Sequence, residues 1–413
     1  MKTARKDALA EAARKMCTDG VSEKSSDWFR NFLRDFARDV LVAVMREEVE
    51  WLCGPRHRPS PGSTHFRSGS TDGYALYEGR RMDVVRPRVR LRQGNGRSHE
   101  APLATYLAAQ KPEELHQRVL DLFRTGVSGR DQKRLHGENT PGVSASSVSR
   151  LWRREGEKAL AAFRGRDIAR NDWVVLMLDG LVLARDLTAV VALGVAGDGT
   201  KHLLDFEIGA SENTETAKGL VERLVRRGFR PMAGGRLLAV LDGSAALRSA
   251  VVAYWPQTVV QRCLVHKERN VRRFLRQGDW AELGRLFGRL RQAQGLAAGQ
   301  EALRAMERFV GNRNKAALES LREPGDEMLA WHRLEVPATL NTSFLSTNLI
   351  ENPIRNMRRK MERVCRWNAA TGQPERWLAY ALAEVERGFR KVRHAGDLDK
   401  LREALKENPA APG

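Results

Sequence analysis

Cysteine is scarce: the chain has 4 in 413 residues, at 17, 53, 263 and 365, too few and too scattered for a disulfide framework. Aromatic residues make up only 7%, so a stacking platform of the kind that reads RNA is not evident. No apolar run reaches the roughly 18 residues of a membrane-spanning helix. The opening MKTARKDALAEAARKM is charged and lacks an apolar signal core, which predicts no secretion by the usual peptide. A strongly amphipathic basic anchor for a membrane surface is also missing. Acids are few relative to bases: Asp plus Glu is 51 against 71 for Lys plus Arg, a formal charge of +20. Composition excludes a collagen, a disordered tail protein and a small stapled domain. The expectation is a cytoplasmic protein with a polyanionic partner, nucleic acid first and an acidic membrane surface second.

The length predicts roughly two to three domains. Residues 1–53 read as helical. Trp28, Phe32, Leu33, Phe36, Val40, Val44 and Trp51 recur near a 3.6-residue period, with Ser26 or Asp27 as N-cap. This is a packing or dimerisation helix more readily than a DNA-contacting one. Residues 54–112 read as linker and basic β-ribbon, the linker rich in Gly, Pro and Ser over 54–73. Tyr74–Glu78 and Met82–Leu91 are expected strands joined at Gly79–Arg80, with Pro87 demoting the second to an edge. Alternation in RPRVRLR places Arg86, Arg88, Arg90 and Arg92 on one face, a candidate phosphate-contacting ribbon.

Residues 113–170 suit a helix-turn-helix-like DNA-binding domain. A helix ending near Gly126 and a short GRDQKRL helix precede a basic helix starting near Ser144 or Ser146. Arg150, Arg153 and Arg154 would lie on or beside its exposed face. Over 171–392 the texture turns to α/β. Three strands, a helix, then strand–helix–strand is the order of a ribonuclease-H-like core. A helical insertion at about 267–340 interrupts it, with Leu283, Leu286, Phe287 and Leu290 as one apolar stripe. Residues 393–413 are left as a C-terminal tail.

Two strands are expected to end in the same tripeptide, Leu178–Asp179–Gly180 and Leu241–Asp242–Gly243. An acid at the edge of a buried strand sits where α/β sheets place ligands. Two such carboxylates repel unless a cation or proton lies between them. Mg²⁺ suits them, being hard and oxygen-preferring. The plainer reading is that each Asp caps the following turn. Glu351 in STNLIEN is the third candidate acid, either a metal ligand or part of a capping box with Asn348. Pro353 argues against that box and for a helix starting after an Asn352 cap. Arg355, Arg358, Arg359, Lys360 and Arg363 follow. Cys263 and His266 form a Cys-x-x-His pair without a second pair nearby, so they read as a core cysteine and a hydrogen-bonding histidine beside the acids.

LMLDG, LAVLDG, VVQRCLVHKERNV and STNLIEN followed by basic residues, in that order, resemble the Mutator-type transposases of bacterial insertion sequences. The resemblance spans roughly 113–392. It implies a DDE transposase with a ribonuclease-H-like core, Asp179, Asp242 and Glu351 matching the three acids and Cys263 and His266 the family's Cys-x-x-His signature. Pro353 and Ile354 depart from the family pattern. The implied cofactor is Mg²⁺, two ions held by Asp179, Asp242 and Glu351, with Mn²⁺ as a substitute. The implied substrate is double-stranded DNA, bound at the terminal inverted repeats of a mobile element and joined to target DNA in transposition, a form of DNA recombination. At least a dimer, nucleoid-associated in a bacterium, would hold two ends. Arg86, Arg88, Arg90, Arg150, Arg153, Arg154, Arg358, Arg359 and Lys360 are the expected DNA-binding residues. Two other readings use the same features: a domesticated DNA-binding protein without transposition activity, and a structure-selective nuclease of the same fold.

Overall fold

The computed structural model describes residues 23–406 except 59–61, 95, 112, 363 and 365, together with residues 10, 11, 14 and 18. Cys17, Arg363 and Cys365 lie outside the described residues. The chain divides into two units, Met1–Arg154 and Glu155–Gly413.

In the first unit, α1 (Glu23–Cys53) packs on a three-stranded antiparallel sheet of β1 (His65–Tyr77), β2 (Arg80–Arg92) and β3 (Ser98–Ala101). Met45, Val49 and Cys53 of α1 meet Ala75, Met82, Val84 and Val89 in one core. The helix is already under way at Glu23, so Ser26 and Asp27 lie inside it and neither is its N-cap. Asp27 instead pairs with Arg30 one turn on. The expected linker is partly strand. Its Gly and Ser residues accompany a bulge between Arg67 and Ser70 and a close approach at Gly73, where a Cβ would lie 2.5 Å from the Tyr106 hydroxyl. The hairpin turns at Glu78–Gly79, one residue earlier than expected, with φ of 49° and 70°, the two-residue turn that suits strand twist. β2 is the central strand and not an edge. Pro87 is tolerated there because it stands opposite Ser70 at the bulge, before the β3 ladder begins at Val89.

After α2 (Ala104–Ala109) come α3 (Glu113–Arg124), the short α4 (Gln132–His136) and α5 (Ala145–Arg164), as the punctuation predicts. The Ser147 amide donates to Ser144 Oγ at 3.2 Å, so Ser144 caps α5.

The second unit is built on β4 (Trp173–Ala184), β5 (Leu187–Ala196), β6 (Lys201–Gly209), α6 (Thr214–Arg226), β7 (Leu238–Leu241), α7 (Ala245–Tyr254) and β8 (Val259–Arg262). The sheet order is β6-β5-β4-β7-β8. β4–β5 and β5–β6 pair antiparallel; β4–β7 and β7–β8 pair parallel. Leu176 and Leu178 face Leu220, Leu224, Leu247 and Val251 of α6 and α7 in one core. By strand alternation Val175, Met177 and Asp179 face the other way. Burial on both faces explains why VVLML is apolar throughout.

Helices follow: α8 (Leu264–Arg272), α9 (Trp280–Gln292), α10 (Gly295–Gly311), α11 (Lys315–Arg322), α12 (Ala330–Arg333), α13 (Asn341–Phe344), α14 (Asn348–Met361), α15 (Gln373–Glu386) and α16 (Leu398–Leu405). Leu283, Leu286, Phe287 and Leu290 form the buried face of α9, as their spacing predicts. The structure is thus mixed α/β, with two sheets and extensive helical regions. No helix among the described residues is long and apolar enough to cross a membrane.

Candidate active site

The parallel pairing of β4 with β7 sets the site. Met177 stands beside Val240, so the chain register brings Asp179 level with Asp242 two residues further on. Asp242 lies immediately after β7, as expected. Asp179 does not end its strand: β4 runs on to Ala184 because its antiparallel partner β5 continues to Leu187, while β7 stops at Leu241. The β7 side of β4 is therefore open from Asp179 onward. Burial, then the charges of Asp242 and Glu351, push the Asp179 carboxyl up to about 7, with His266 partly offsetting them. The three acids are thus within electrostatic reach of one another. Asp242 Oδ1 also accepts from the Ser244 amide at 2.9 Å, while Ser244, not Asp242, is the N-cap of α7.

Glu351 comes from a distant segment. α14 starts at Asn348, so Glu351 sits in its first turn and Pro353 inside it. Neither the Asn352 cap nor the Asn348–Glu351 capping box holds; Thr347 is at the cap position, and its carbonyl accepts from the Glu351 amide at 2.9 Å. The chain before α14 is tied to the start of α8. Leu264 N donates to Leu345 O at 2.9 Å, and Thr347 N donates to Cys263 Sγ at 3.3 Å. Cys263 is buried and caps α8, its sulfur accepting from the His266 amide at 3.5 Å.

Thr347 is the residue that sequence reading missed. Its hydroxyl lies 2.7 Å from Glu351 Oε1, 3.3 Å from His266 Nδ1 and 3.4 Å from Cys263 Sγ. A hydroxyl has one proton to give. The shortest contact assigns it to Glu351, leaving the oxygen to accept from a protonated His266 Nδ1. Burial raises the Cys263 thiol, but hydrogen bonds from His266 and Thr347 outweigh it and lower its pKa. The Cys263 contact in turn raises His266, against burial. Cys263, His266 and Glu351 offer ligand atoms within 4.8 Å of one another.

Glu212, also missed, stands against Gly180 and within electrostatic reach of Asp242. A Cβ on Gly180 would lie 1.9 Å from Glu212 Oε2, so a larger residue there would displace this carboxylate. Burial raises Glu212, a hydrogen bond with Ser244 lowers it, and Asp242 raises it again, with a net rise. SENTET around Glu212 carries no recognisable motif; only the fold brings it here.

The basic residues are placed differently. Arg86 and Arg88 both bind the Glu100 carboxylate of β3 at 2.9 Å, and Arg90 donates to the Ser98 carbonyl at 2.9 Å. These contacts bind β2 to β3 and engage guanidinium groups expected to face a phosphate, because Glu100 stands opposite Arg90 on the neighbouring strand and shares its face. Arg150, Arg153 and Arg154 are exposed on α5. Arg358, Arg359 and Lys360 are exposed in the last turn of α14, the same helix as Glu351.

Residues 8–389 match the family model described as transposase, Mutator family. The chain is 26% identical over 350 residues to the transposase for insertion sequence element IS905 of Lactococcus lactis subsp. lactis, covering 82% of this chain and 84% of that protein. It is 26% identical over 395 residues to the transposase for insertion sequence element ISRM5 of Rhizobium meliloti, covering 92% and 93%. The transposase for insertion sequence element IS1201 of Lactobacillus helveticus is 23% identical over 349 residues, covering 82% and 90%. The family match spans nearly the whole chain, both units included, and by it the chain belongs to the Mutator family of transposases.

Proposed function

We propose that this transposase binds the terminal inverted repeats of its insertion sequence and carries out Mg²⁺-dependent strand cleavage and strand transfer with Asp179, Asp242 and Glu351 as the catalytic acids. The observation that carries this is the carboxylate cluster in a basic chain: Asp179 raised to about 7 by burial, Asp242 and Glu351. A ribonuclease-H-like core is supported by the sheet order β6-β5-β4-β7-β8, with an antiparallel first half and a parallel second.

The residues fit a hard divalent cation. They offer carboxylate oxygens, and the raised Asp179 is a group that a nearby positive charge would relieve. Asp179, Asp242 and Glu351 would hold the metal. Bound there, a pair of ions supplies an activated water or 3′-hydroxyl and charge stabilisation for the leaving oxygen. The chain's own contribution is positional. The β4–β7 register fixes the two aspartates, and Thr347 holds one Glu351 oxygen while His266 and Arg269 (3.7 and 3.8 Å) lie beside that carboxylate. Arg358, Arg359, Lys360 and the α5 arginines are proposed to neutralise DNA backbone. Two DNA ends call for at least a dimer.

The test is a joining assay with a duplex carrying the repeat that brackets the gene. Mg²⁺-dependent transfer of its 3′ end to a plasmid is expected; cutting without joining means a nuclease, and binding alone a domesticated protein. Thr347→Val should lower joining about 10- to 100-fold and raise the Mg²⁺ needed, the usual cost of losing a group that orients a metal ligand. Thr347→Ser should restore most of it.

Asp179 also predicts a pH effect on stability. Its folded pKa is raised from 3.8 to about 7. The associated stability is full below 3.8 and is lost as pH rises through about 7. The metal-free protein should therefore melt lower at pH 8 than at pH 6, and Mg²⁺ should raise the melting temperature more at pH 8. Equal Mg²⁺ shifts at both pH values in differential scanning fluorimetry would contradict the assignment of Asp179 to the metal.

A further inference from the structure

Beside Glu351, on another face of α14, lies a cleft of about 470 Å³ that none of the three catalytic acids lines. Its polar walls are Asn352, Asn356, Arg359 and Lys360 of α14, with Asn348 one turn before, and Lys201 from the start of β6. Leu349, Val385 and Phe389 make the apolar floor. No acid lines it. Asn348, Asn352 and Asn356 recur every four residues and so share one helix face. Among the described residues no side-chain hydrogen bond engages these three amides, and no carboxylate pairs with Lys201, Arg359 or Lys360. Lys201 rests its ammonium 5.1 Å from the Phe389 ring centroid and is partly buried. Burial lowers its pKa, a shift that an anion in the cleft would offset.

This combination is specific in its chemistry. Cations without acids select an anion. Amides offer a donor and an acceptor each, the pattern needed to meet the edge of a nucleobase. The apolar floor suits the face of that base. A volume within the small-ligand range takes one nucleotide but not a duplex. We propose that the cleft holds one nucleotide of a DNA strand drawn out of the duplex beside the active site, its phosphate on Lys201, Arg359 and Lys360 and its base edge on Asn352 and Asn356. The inference rests on the proposed role of Glu351 in DNA strand transfer, since the adjacent residue Asn352 then contacts the same strand. Extrusion of a nucleotide costs unstacking, which these contacts offset.

The test measures binding without reaction. Full-length protein in EDTA is titrated into fluorescein-labelled single-stranded DNA of mixed sequence, and into a strand of equal length made of abasic sites, at one fixed salt concentration. The base-bearing strand should bind roughly tenfold tighter, the scale of one good base contact. The Asn352→Ala/Asn356→Ala protein should lose that ratio while keeping its affinity for the abasic strand. Lys201→Met should weaken both strands by the same factor. Asn356→Asp, a second surface change, should weaken both by repulsion. Unchanged melting temperatures would show that the variants fold. Equal binding of both strands by the unmodified protein, or a ratio kept by the double asparagine variant, would overturn the base-edge assignment. Full competition by free deoxynucleoside monophosphate at equal nucleotide concentration would overturn the strand assignment. Because no cleavage is needed, absence of Mg²⁺-dependent joining would count against the catalytic reading alone.

Discussion

Asp179→Asn, Asp242→Asn and Glu351→Gln should each reduce strand joining by at least about 10³-fold while leaving end binding near its original affinity. Each amide keeps shape and removes one negative oxygen donor. Three orders of magnitude correspond to about 4 kcal/mol of lost charge stabilisation, the scale of a metal-held transition state. Loss of folding is separable from loss of chemistry at Asp179. Its carboxyl is raised to about 7, so above that pH the metal-free protein carries a buried charge it would be better without. Asp179→Asn should therefore melt no lower than the unmodified protein at pH 8, and higher if nothing else changes. A variant that joins strands at the original rate removes that acid from the site.

Gly243→Ala should cost about 2–4 kcal/mol of stability and disable the site with it. Gly243 has φ 113°, a region that L side chains rarely adopt. A Cβ there would also lie 2.2 Å from Arg262 Nη1. Arg262 cannot give way easily. Its side chain is 7% exposed, holds Glu323 through two bonds at 3.1 Å, and reaches Glu327 at 3.0 Å. The strain must then move the turn after β7, which carries Asp242. Thermal melting by circular dichroism measures the stability loss. Alanine at Gly278, where nothing lies within 4 Å and φ is not in the positive range, is the control and should change little. Equal melting of the two variants would refute this account of Gly243.

Much of the fold is legible in the residues because local pattern dictates it. VVLML must be a buried strand, Leu283 to Leu290 one face of a helix, and Ser144 a helix start. The two LDG tripeptides mark strands that pair in parallel. Misreadings fall where a local signal has two meanings. Gly and Ser over 65–73 suggest a loop but serve a bulge and a close approach. Pro353 suggests a helix start, yet α14 runs through it. A proline costs one helical bond and a clash with the preceding turn; here its buried ring, with Ile350, Ile354 and Met357, lies among the buried residues of the helix.

Glu351 marks the limit most clearly. Sequence proposes it as an acid but leaves its cap-or-ligand role open. Thr347, Cys263 and Leu345 bring it to Asp179 through bonds between segments more than 80 positions apart. Glu212 and the pairing of Arg86 and Arg88 with Glu100 span shorter separations, but they too join different elements and so leave no local pattern. By itself the sequence determined the helices and strands, the basic charge and the family motifs, because each rests on periodicity, composition or short runs. Only tertiary structure decided which carboxylates come within electrostatic reach of one another and which arginines are already engaged, because that depends on which faces of different elements come together.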